Sequence, residues 1–195
     1  VDEAGRGPWA GPVIAAAVIL HAVPLPVRID DSKRLTSLQR IRAARWILHS
    51  AHVGIGIVSA DEIDRRNILQ ATLRAMQQAV QDLAMAPDLI LVDGHIAPAF
   101  DTPCRPIVGG DRSSYSISCA SIVAKVVRDD LMQFYHRLFP RYAFHRHKGY
   151  GTHQHAQALA RWGPCFFHRR SFRPVKDLGD SQHEVTKSPC HTVSR

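Results

Sequence analysis

The sequence predicts an α/β fold in which helices flank a mixed central sheet and a helical part follows at the C-terminal end. Short β-branched, apolar segments bounded by glycine or proline indicate buried strands. Longer segments with apolar residues three and four positions apart indicate helices. Acidic residues stand at three strand ends or turns, and sheets of this class bind ligands where their strands end.

Four segments have the composition of strands. The glycines within residues 53–58 indicate close approach of a neighbouring backbone. Residues 89–92 are a continuous apolar run, which predicts a strand buried on both faces, and Asp93 follows it. Residues 105–108 are followed by Gly109-Gly110-Asp111. The predicted strands span residues 12–20, 53–58, 89–92 and 105–108.

Helix starts are marked by capping patterns. Thr36 and Ser59 are each followed three residues later by Gln or Glu, which is typical of a capping box. Residues 24–31 are predicted to form a loop. The helix that opens at Thr36 is predicted to end near His49. The second is predicted to be the longest and to run to Pro87. Two further helices are predicted over residues 116–139 and 153–162, where Pro140 and Gly163-Pro164 end them.

Composition limits the class of protein. The chain has 195 residues, 45% of them hydrophobic, which predicts one domain over residues 1–178. Residues 179–195 are polar and aperiodic and are expected to be disordered. The longest apolar run is too short to span a bilayer and no signal peptide is visible, so we expect a cytoplasmic protein with no membrane partner. Because the chain begins with Val1, we expect native residues to precede it.

The four cysteines are widely spaced, so reduced thiols are expected. Cys165 and His168 lack the partner spacing of a structural zinc site. A formal charge of +8 and a pI near 9.8 favour a polyanionic partner, of which nucleic acid is the commonest. A charge that serves only solubility is the alternative.

The first residues combine two kinds of binding group. Asp2 and Glu3 suit a cation, while Gly5-Arg6-Gly7 suits a phosphate or a sugar, because glycines let the backbone approach a ligand and arginine adds a planar five-donor group. This pairing predicts a metal-dependent site that acts on a polyanion.

Four acids form the predicted metal site. Mg²⁺ and Mn²⁺ prefer carboxylate oxygens, and two such ions can stabilise both the attacking and the leaving oxygen of a phosphodiester. Neighbouring residues of a regular strand point to opposite faces, so Asp2 and Glu3 share a site only if the strand bends or ends near Gly5. Acids beside glycine also occur in simple turns. The predicted ligands are Asp2, Glu3, Asp93 and Asp111; Asp61, Glu62 and Asp64 are interpreted as helix-start acids.

Eight motifs in this order resemble ribonuclease HII (type 2 ribonuclease H) from Val1 to about Val175. The eight motifs are Asp2-Glu3-Ala4-Gly5-Arg6-Gly7-Pro8, Asp31-Ser32-Lys33-Arg34-Leu35, Glu62-Ile63-Asp64 with Asn67-Ile68-Leu69, Val92-Asp93-Gly94, Gly110-Asp111, Ala120-Ser121-Ile122-Val123-Ala124-Lys125-Val126 with Arg128-Asp129, His147-Lys148-Gly149-Tyr150 and His168-Arg169-Arg170-Ser171-Phe172.

The resemblance implies a ribonuclease H-like fold and a catalytic domain over residues 1–178. It implies an endonuclease that hydrolyses RNA in RNA–DNA hybrids and incises 5′ of ribonucleotides embedded in duplex DNA, leaving 5′-phosphate and 3′-hydroxyl ends. It places two Mn²⁺ or Mg²⁺ ions on the four acids. It also assigns 2′-hydroxyl contacts to Gly5, Arg6, Gly7 and Tyr150, and a nearby phosphate to Lys33. Where the family often has lysine two residues before the fourth acid, this chain has Gly109.

Several residues keep two interpretations. Lys125, Lys148, Arg169 and Arg170 suit phosphate contacts, although some of them can be plain surface charges. His147 and His168 can assist proton transfer or serve the structure. Asp129 can pair with Lys125 one helical turn away or bind metal.

Two other functions compete with ribonuclease HII activity. One is another nuclease of this fold, such as a type 3 ribonuclease H or a DNA nuclease. The other is a non-catalytic nucleic-acid-binding protein on the same scaffold, against which the four intact acids argue. We expect a monomer. Binding to a sliding clamp through residues 179–195 is possible in this family, but no hydrophobic clamp peptide stands there.

Overall fold

The computed structural model describes residues 1–21 and 24–178, so the predicted tail lies outside the described residues. A 3₁₀ turn at Pro140–Tyr142 follows the fifth helix. The strands are β1 (Asp2–Ala4), β2 (Val13–Leu20), β3 (Ala51–Val58), β4 (Ile90–Asp93) and β5 (Cys104–Ile107), and the helices are α1 (Ser37–Ser50), α2 (Ala60–Arg66), α3 (Ile68–Gln81), α4 (Gly110–Ser113), α5 (Tyr115–Leu138), α6 (Phe144–His147) and α7 (His153–Trp162).

The sheet is mixed, as predicted. β2 pairs antiparallel with both β1 and β3, and β4 pairs parallel with β5. Val1 joins the two parts, because its amino group donates to the Leu91 carbonyl at 2.6 Å and its carbonyl accepts from the Asp93 N–H at 3.0 Å. Val1 thus bonds to the residues on either side of Val92, which is the hydrogen-bond pattern of parallel strands. The strand order is therefore β3-β2-β1-β4-β5, and it sets Asp2 and Glu3 beside the end of β4.

Three predicted helices are confirmed. Thr36 accepts from the Gln39 N–H at 3.3 Å and the Gln39 side chain accepts from the Thr36 N–H at 2.8 Å, so both halves of the capping box at α1 are present. Helix α7 has the predicted bounds, and α5 begins and ends one residue before its predicted limits.

The helix predicted from Ser59 to Pro87 is wrong as a single element. Asn67 has a φ of 72° and separates α2 from α3, and its side chain caps α3 by accepting from the Gln70 N–H at 3.1 Å. Asparagine tolerates positive φ and its short amide satisfies a free helix donor, so local polar bonding outweighs the continuous apolar pattern. Helix α3 ends at Gln81, and α5, with 24 residues, is longer.

Helices cover both faces of the sheet. Helix α3 packs on one face, and the glycines of β3 allow it to approach closely: a Cβ at Gly54 or Gly56 would meet the carbonyl of Ala79 or Ala75. Helices α1 and α5 pack on the other face. The prediction that residues 89–92 are buried on both faces is wrong for Leu89, which precedes β4 and is 53% exposed.

The C-terminal part packs against the second half of α5. Met132 of that helix joins Ala10, Tyr142, Phe144 and Cys165 in a third apolar cluster. Within the described ranges, no helix is both long and apolar enough to cross a bilayer. Cys104, Cys119 and Cys165 are free thiols, and Cys190 lies outside the described residues.

Candidate active site

One cleft of about 240 Å³ opens where β1 and β4 end. It contains most of the residues that the sequence singled out, which lie on β1, β4, α4, α5 and three loops. Lys148, Arg169 and Arg170 are predicted site residues that do not line it. The predicted residues on its walls are Asp2, Glu3, Gly5, Arg6, Gly7, Lys33, Asp93, Asp111, Lys125 and Tyr150.

The four acids meet because of the strand order. Asp2 and Glu3 lie on β1, Asp93 ends the neighbouring β4, and Asp111 lies in the first turn of α4. The Asp93 carboxylate accepts from the Gly110 N–H at 2.7 Å, which ties the end of β4 to the start of α4. β1 ends at Ala4 and Gly5 has a φ of 99°, so the expected bend follows directly after the paired acids.

The acids repel one another in a poorly solvated place. Burial, followed by Glu3 and Asp93, raises the pKa of Asp2 well above its usual value. Burial is also the main cause of the raised pKa of Glu3, where Arg6 opposes it, with a guanidinium nitrogen 3.5 Å from the carboxylate. Lys33 Nζ lies 3.8 Å from an Asp111 oxygen. A cation between these carboxylates would offset the repulsion.

The donor set fits hard divalent ions. All four acids supply carboxylate oxygens, which Mg²⁺ and Mn²⁺ prefer. Within residues 1–21 and 24–178, no group of three or more His, Cys, Asp or Glu side chains is arranged to hold a metal ion in the metal-free structure. Mg²⁺ usually keeps several waters and combines one or two carboxylates with substrate phosphates. An open cleft lined by separate carboxylates suits that mode of binding.

Asp2→Asn is expected to stabilise the metal-free protein by roughly 1–2 kcal/mol at pH 8. Because the folded-state pKa of Asp2 is raised, the ionised carboxylate costs stability: the cost is absent below the unfolded-state pKa, grows as pH rises above it, and is complete above the folded-state pKa. Asparagine keeps the acceptor that binds the Glu3 N–H at 2.7 Å. Urea unfolding in chelator at pH 5 and pH 8 measures the difference. An advantage of equal size at both pH values would contradict this assignment.

The Gly5-Arg6-Gly7 turn is held from behind by a buried arginine. Arg169 is 0% exposed, and its guanidinium donates to the carbonyls of Gly5 at 2.5 Å, Arg6 at 2.8 Å and Gly11 at 2.9 Å. In a trans peptide the N–H points away from the C=O of the same unit. The N–H groups of Arg6 and Gly7 therefore point away from Arg169.

Arg128 is a second buried arginine, and the sequence interpretation gave it no role. It is 1% exposed and donates to the carbonyls of Ala10 and Pro12, both at 3.1 Å, and of Lys148 at 3.0 Å. A signal was present: Arg128 lies four residues after Ala124 and four before Met132, both on the buried face of α5. It ties the segment after the glycine turn to the segment before Tyr150.

The structure gives Arg169 a positioning role in place of the predicted phosphate contact. Its neighbour Arg170 is exposed, and the N–H groups of Arg170 and Ser171 donate to Asp64 at 2.7 and 2.9 Å. Asp64 therefore anchors this segment, and its interpretation as a helix-start acid is corrected. Burial, followed by the charge of Arg128, lowers the pKa of Arg169 to about 9, which leaves the guanidinium charged at neutral pH.

Tyr150 faces the glycine turn across the cleft. It is 44% exposed, and a side chain added at Gly7 would come within 3.9 Å of its ring. The guanidinium carbon of Arg128 lies 5.8 Å from the centre of the same ring. The two groups predicted to recognise ribose are thus adjacent.

The remaining residues have hydrogen-bond partners within the protein, and the phosphate contacts of Lys125 and Lys148 stay predictions. His147 and His168 are 8% and 2% exposed, hydrogen-bonded and outside the cleft. Lys125 Nζ donates to Asp129 at 2.5 Å, and Asp129 does not line the cleft. The ammonium of Lys148 donates to the His145 carbonyl at 2.8 Å.

Comparisons with known proteins agree with this architecture. Residues 1–175 match the family model of ribonuclease HII. The ribonuclease HII of Chlamydia pneumoniae is 49% identical over 180 residues, which cover 91% of this chain and 84% of that protein. The ribonuclease H2 of Pyrococcus horikoshii OT3 has a similar fold, with a TM-score of 0.78 at 20% identity over 94% of this chain and 97% of that one. Bst-RNase HIII in complex with Mn²⁺ superposes with a TM-score of 0.68 at 16% identity over 94% and 69% of the two chains.

Proposed function

Since the chain belongs to the ribonuclease HII family, endonucleases that cleave the RNA of RNA–DNA hybrids, we propose that it also incises duplex DNA 5′ of an embedded ribonucleotide. The products would carry 5′-phosphate and 3′-hydroxyl ends. One observation carries the proposal: the four acids, the glycine turn and Tyr150 line the same cleft. A phosphodiester held at the acids would have its ribose within reach of the turn.

Enzymes of this family use divalent metal ions, and the proposal places two of them, Mn²⁺ or Mg²⁺, on Asp2, Glu3, Asp93 and Asp111. When bound, the ions supply an activated water for in-line attack and neutralise charge on the leaving 3′-oxygen. The raised pKa of Asp2 supports this assignment, because burial and like charges make the metal-free arrangement costly.

The protein's own groups would select the ribose. A 2′-hydroxyl both donates and accepts, and it alone distinguishes ribose from deoxyribose in a duplex. The N–H groups of Arg6 and Gly7 supply donors, and Tyr150 supplies a phenol and a ring that can stack on a sugar. Lys33, 80% exposed at its side chain, suits a phosphate contact that positions the duplex.

A panel of three duplexes tests the proposal. The first carries one ribonucleotide in DNA, the second is a continuous RNA–DNA hybrid, and the third is all DNA, each with Mg²⁺ or Mn²⁺. Cleavage of the first two and not of the third is expected. Cleavage of the hybrid alone would favour activity restricted to continuous RNA, cleavage of all-DNA duplex would favour a DNA nuclease, and binding without metal-dependent turnover would favour a non-catalytic protein.

Tyr150→Phe is expected to lower the preference for the single-ribonucleotide duplex over the continuous hybrid by roughly three- to tenfold, the scale of one hydrogen bond. The ring keeps its place against Gly7, so the fold should be unchanged. The ratio of kcat/KM on the two duplexes measures this preference, with thermal unfolding as the control. An unchanged ratio would remove the phenol from ribose recognition.

A further inference from the structure

Buried histidines lie directly behind Tyr150 and have no part in the proposed chemistry. His155 is 0% and His168 is 2% exposed. Their Nε2 atoms are 3.0 Å apart. At the other edges of the two rings, His155 Nδ1 lies 2.9 Å from the Tyr150 carbonyl oxygen and His168 Nδ1 lies 2.9 Å from the Cys165 backbone nitrogen. Both nitrogens of both rings therefore have partners.

These contacts fix the position of every proton. The Cys165 N–H only donates, so His168 Nδ1 accepts from it and the proton of the neutral ring is on Nε2. The Cys165 thiol, whose sulfur lies 3.2 Å from the same Nδ1, is then a second donor to it. That proton points at His155 Nε2, which must accept. His155 consequently carries its proton on Nδ1 and donates it to the Tyr150 carbonyl. The result is a chain of hydrogen bonds in one direction, from Cys165 through the two imidazoles to Tyr150.

The surroundings keep both rings neutral. Burial lowers the pKa of His155 to about 4, and burial followed by His155 lowers the pKa of His168 to about 3. A second proton on His155 would set two N–H donors against each other at 3.0 Å, and a second proton on His168 would set Nδ1–H against the Cys165 N–H at 2.9 Å. The His147 ring stacks on His155 with centroids 4.4 Å apart, and Trp9 lies 5.3 Å away on the same imidazole.

The chain of hydrogen bonds ends at the backbone of Tyr150, the residue proposed to contact the ribose. The Tyr150 N–H donates to the His147 carbonyl and its own carbonyl also accepts from the Thr152 N–H, both at 2.9 Å. Gly149, with a φ of 83°, sits so close to Ala10 that a Cβ would meet the Ala10 carbonyl. His155 therefore adds a buried side-chain hydrogen bond to a tight turn whose tyrosine faces Gly7.

We propose that His168 and His155 are positioning residues for ribose recognition, acting as a neutral relay that fixes the backbone of Tyr150 and thereby holds its ring against Gly7. The inference rests on the proposed function of Tyr150. It extends the recognition site to two residues outside the cleft that touch no substrate. Loss of the relay should reduce the preference for a ribonucleotide in DNA more than it reduces cleavage of a continuous hybrid.

Nitrogen NMR of the intact protein tests the relay itself. Long-range ¹H–¹⁵N correlation at pH 7 should show His155 as the Nδ1–H tautomer and His168 as the Nε2–H tautomer, both neutral. The opposite tautomers, or a protonated ring, would overturn the proposed direction. This experiment needs no substitution in the relay and does not depend on whether a variant folds.

Two substitutions of His155 separate positioning from packing. His155→Asn keeps a donor near the Nδ1 position, whereas His155→Gln places its amide near Nε2 and loses the bond to Tyr150. We expect His155→Gln to lower the kcat/KM ratio of single-ribonucleotide duplex to continuous hybrid roughly tenfold, and His155→Asn to lower it by only about threefold, because asparagine keeps the bond to Tyr150 and loses the one to His168. Equal losses in both variants would mean that the histidine serves packing alone and would overturn the proposal.

Tyr150→Ala distinguishes failure of the inference from failure of the proposed function. If Tyr150→Ala leaves the ratio unchanged, the role of Tyr150 is wrong. If it lowers the ratio and His155→Gln does not, only the relay is wrong. When both hold, adding His155→Gln to Tyr150→Ala should lower the ratio no further, because the displaced ring is already absent. Additive losses would overturn the relay.

Discussion

Replacing Asp93 by asparagine is expected to lower kcat on a single-ribonucleotide duplex by roughly a thousandfold, because a metal ligand contributes several kcal/mol to the transition state. The fold should persist. Asparagine keeps the oxygen that accepts the Gly110 N–H at 2.7 Å, so the link between β4 and α4 remains. Only the charge and the ability to bind a hard cation are lost.

Asp101→Asn is the matched control for this substitution. Asp101 is exposed and does not line the cleft, so the same chemical change there should leave kcat within roughly twofold, as surface substitutions usually do. Thermal unfolding of both variants checks that neither loses its structure. Near wild-type turnover by Asp93→Asn would show that Asp93 is not a metal ligand.

Arg169→Met is expected to destabilise the protein by about 3 kcal/mol or more. Two buried carbonyls and the partly buried carbonyl of Arg6 lose charged hydrogen bonds worth about 1.5–3 kcal/mol each, and the packing of methionine offsets part of that loss. Those of Gly5 and Arg6 belong to the glycine turn. Cleavage beside a single ribonucleotide should therefore fall further than stability alone explains. Urea unfolding and the duplex panel measure the two effects.

Arg170→Met is the matched control for Arg169→Met. Arg170 is exposed and its anchoring bond to Asp64 comes from its backbone, so Arg170→Met should change the free energy of unfolding by less than about 0.5 kcal/mol. Arg169→Lys adds a finer comparison, since it keeps the charge and loses the planar fork that reaches three carbonyls. Equal stability of Arg169→Met and Arg170→Met would contradict the assignment of Arg169 as the residue that holds the glycine turn.

This pair of arginines shows where sequence reasoning stops. Arg169 and Arg170 are adjacent and chemically identical, and both suited a phosphate contact. The packing of residues 5–11 against the C-terminal segment buries one guanidinium and leaves the other in water. Such long-range contacts leave no local pattern. Arg128 was different, because its helical spacing between buried residues was visible in the sequence.

Features set by neighbouring residues were predicted best. The capping box at Thr36 and the start and stop signals of α5 and α7 depend on a few adjacent side chains. The break at Asn67 was missed because its polar capping contradicts the apolar periodicity on either side. Tertiary contacts also decided the role of Asp64, which binds the backbone of a segment more than 100 residues away.

The candidate site was predictable in its members but not in its assembly. Acids that follow strand segments are visible in the sequence, as is the glycine turn. The order β3-β2-β1-β4-β5, which brings Asp2 and Glu3 beside Asp93, depends on the hydrogen bonds of Val1 to β4. The resemblance to ribonuclease HII supplied the grouping that composition and spacing alone left open.

We propose that one cleft both hydrolyses the phosphodiester and recognises the ribose beside it. The most direct measurement compares two duplexes that differ by a single 2′-hydroxyl and maps the nick in each with Mn²⁺ or Mg²⁺. We predict one incision, immediately 5′ of the ribonucleotide, with 3′-hydroxyl and 5′-phosphate ends, and no incision of the all-DNA duplex. Equal cleavage of both duplexes, or an intact ribonucleotide strand, would contradict the account.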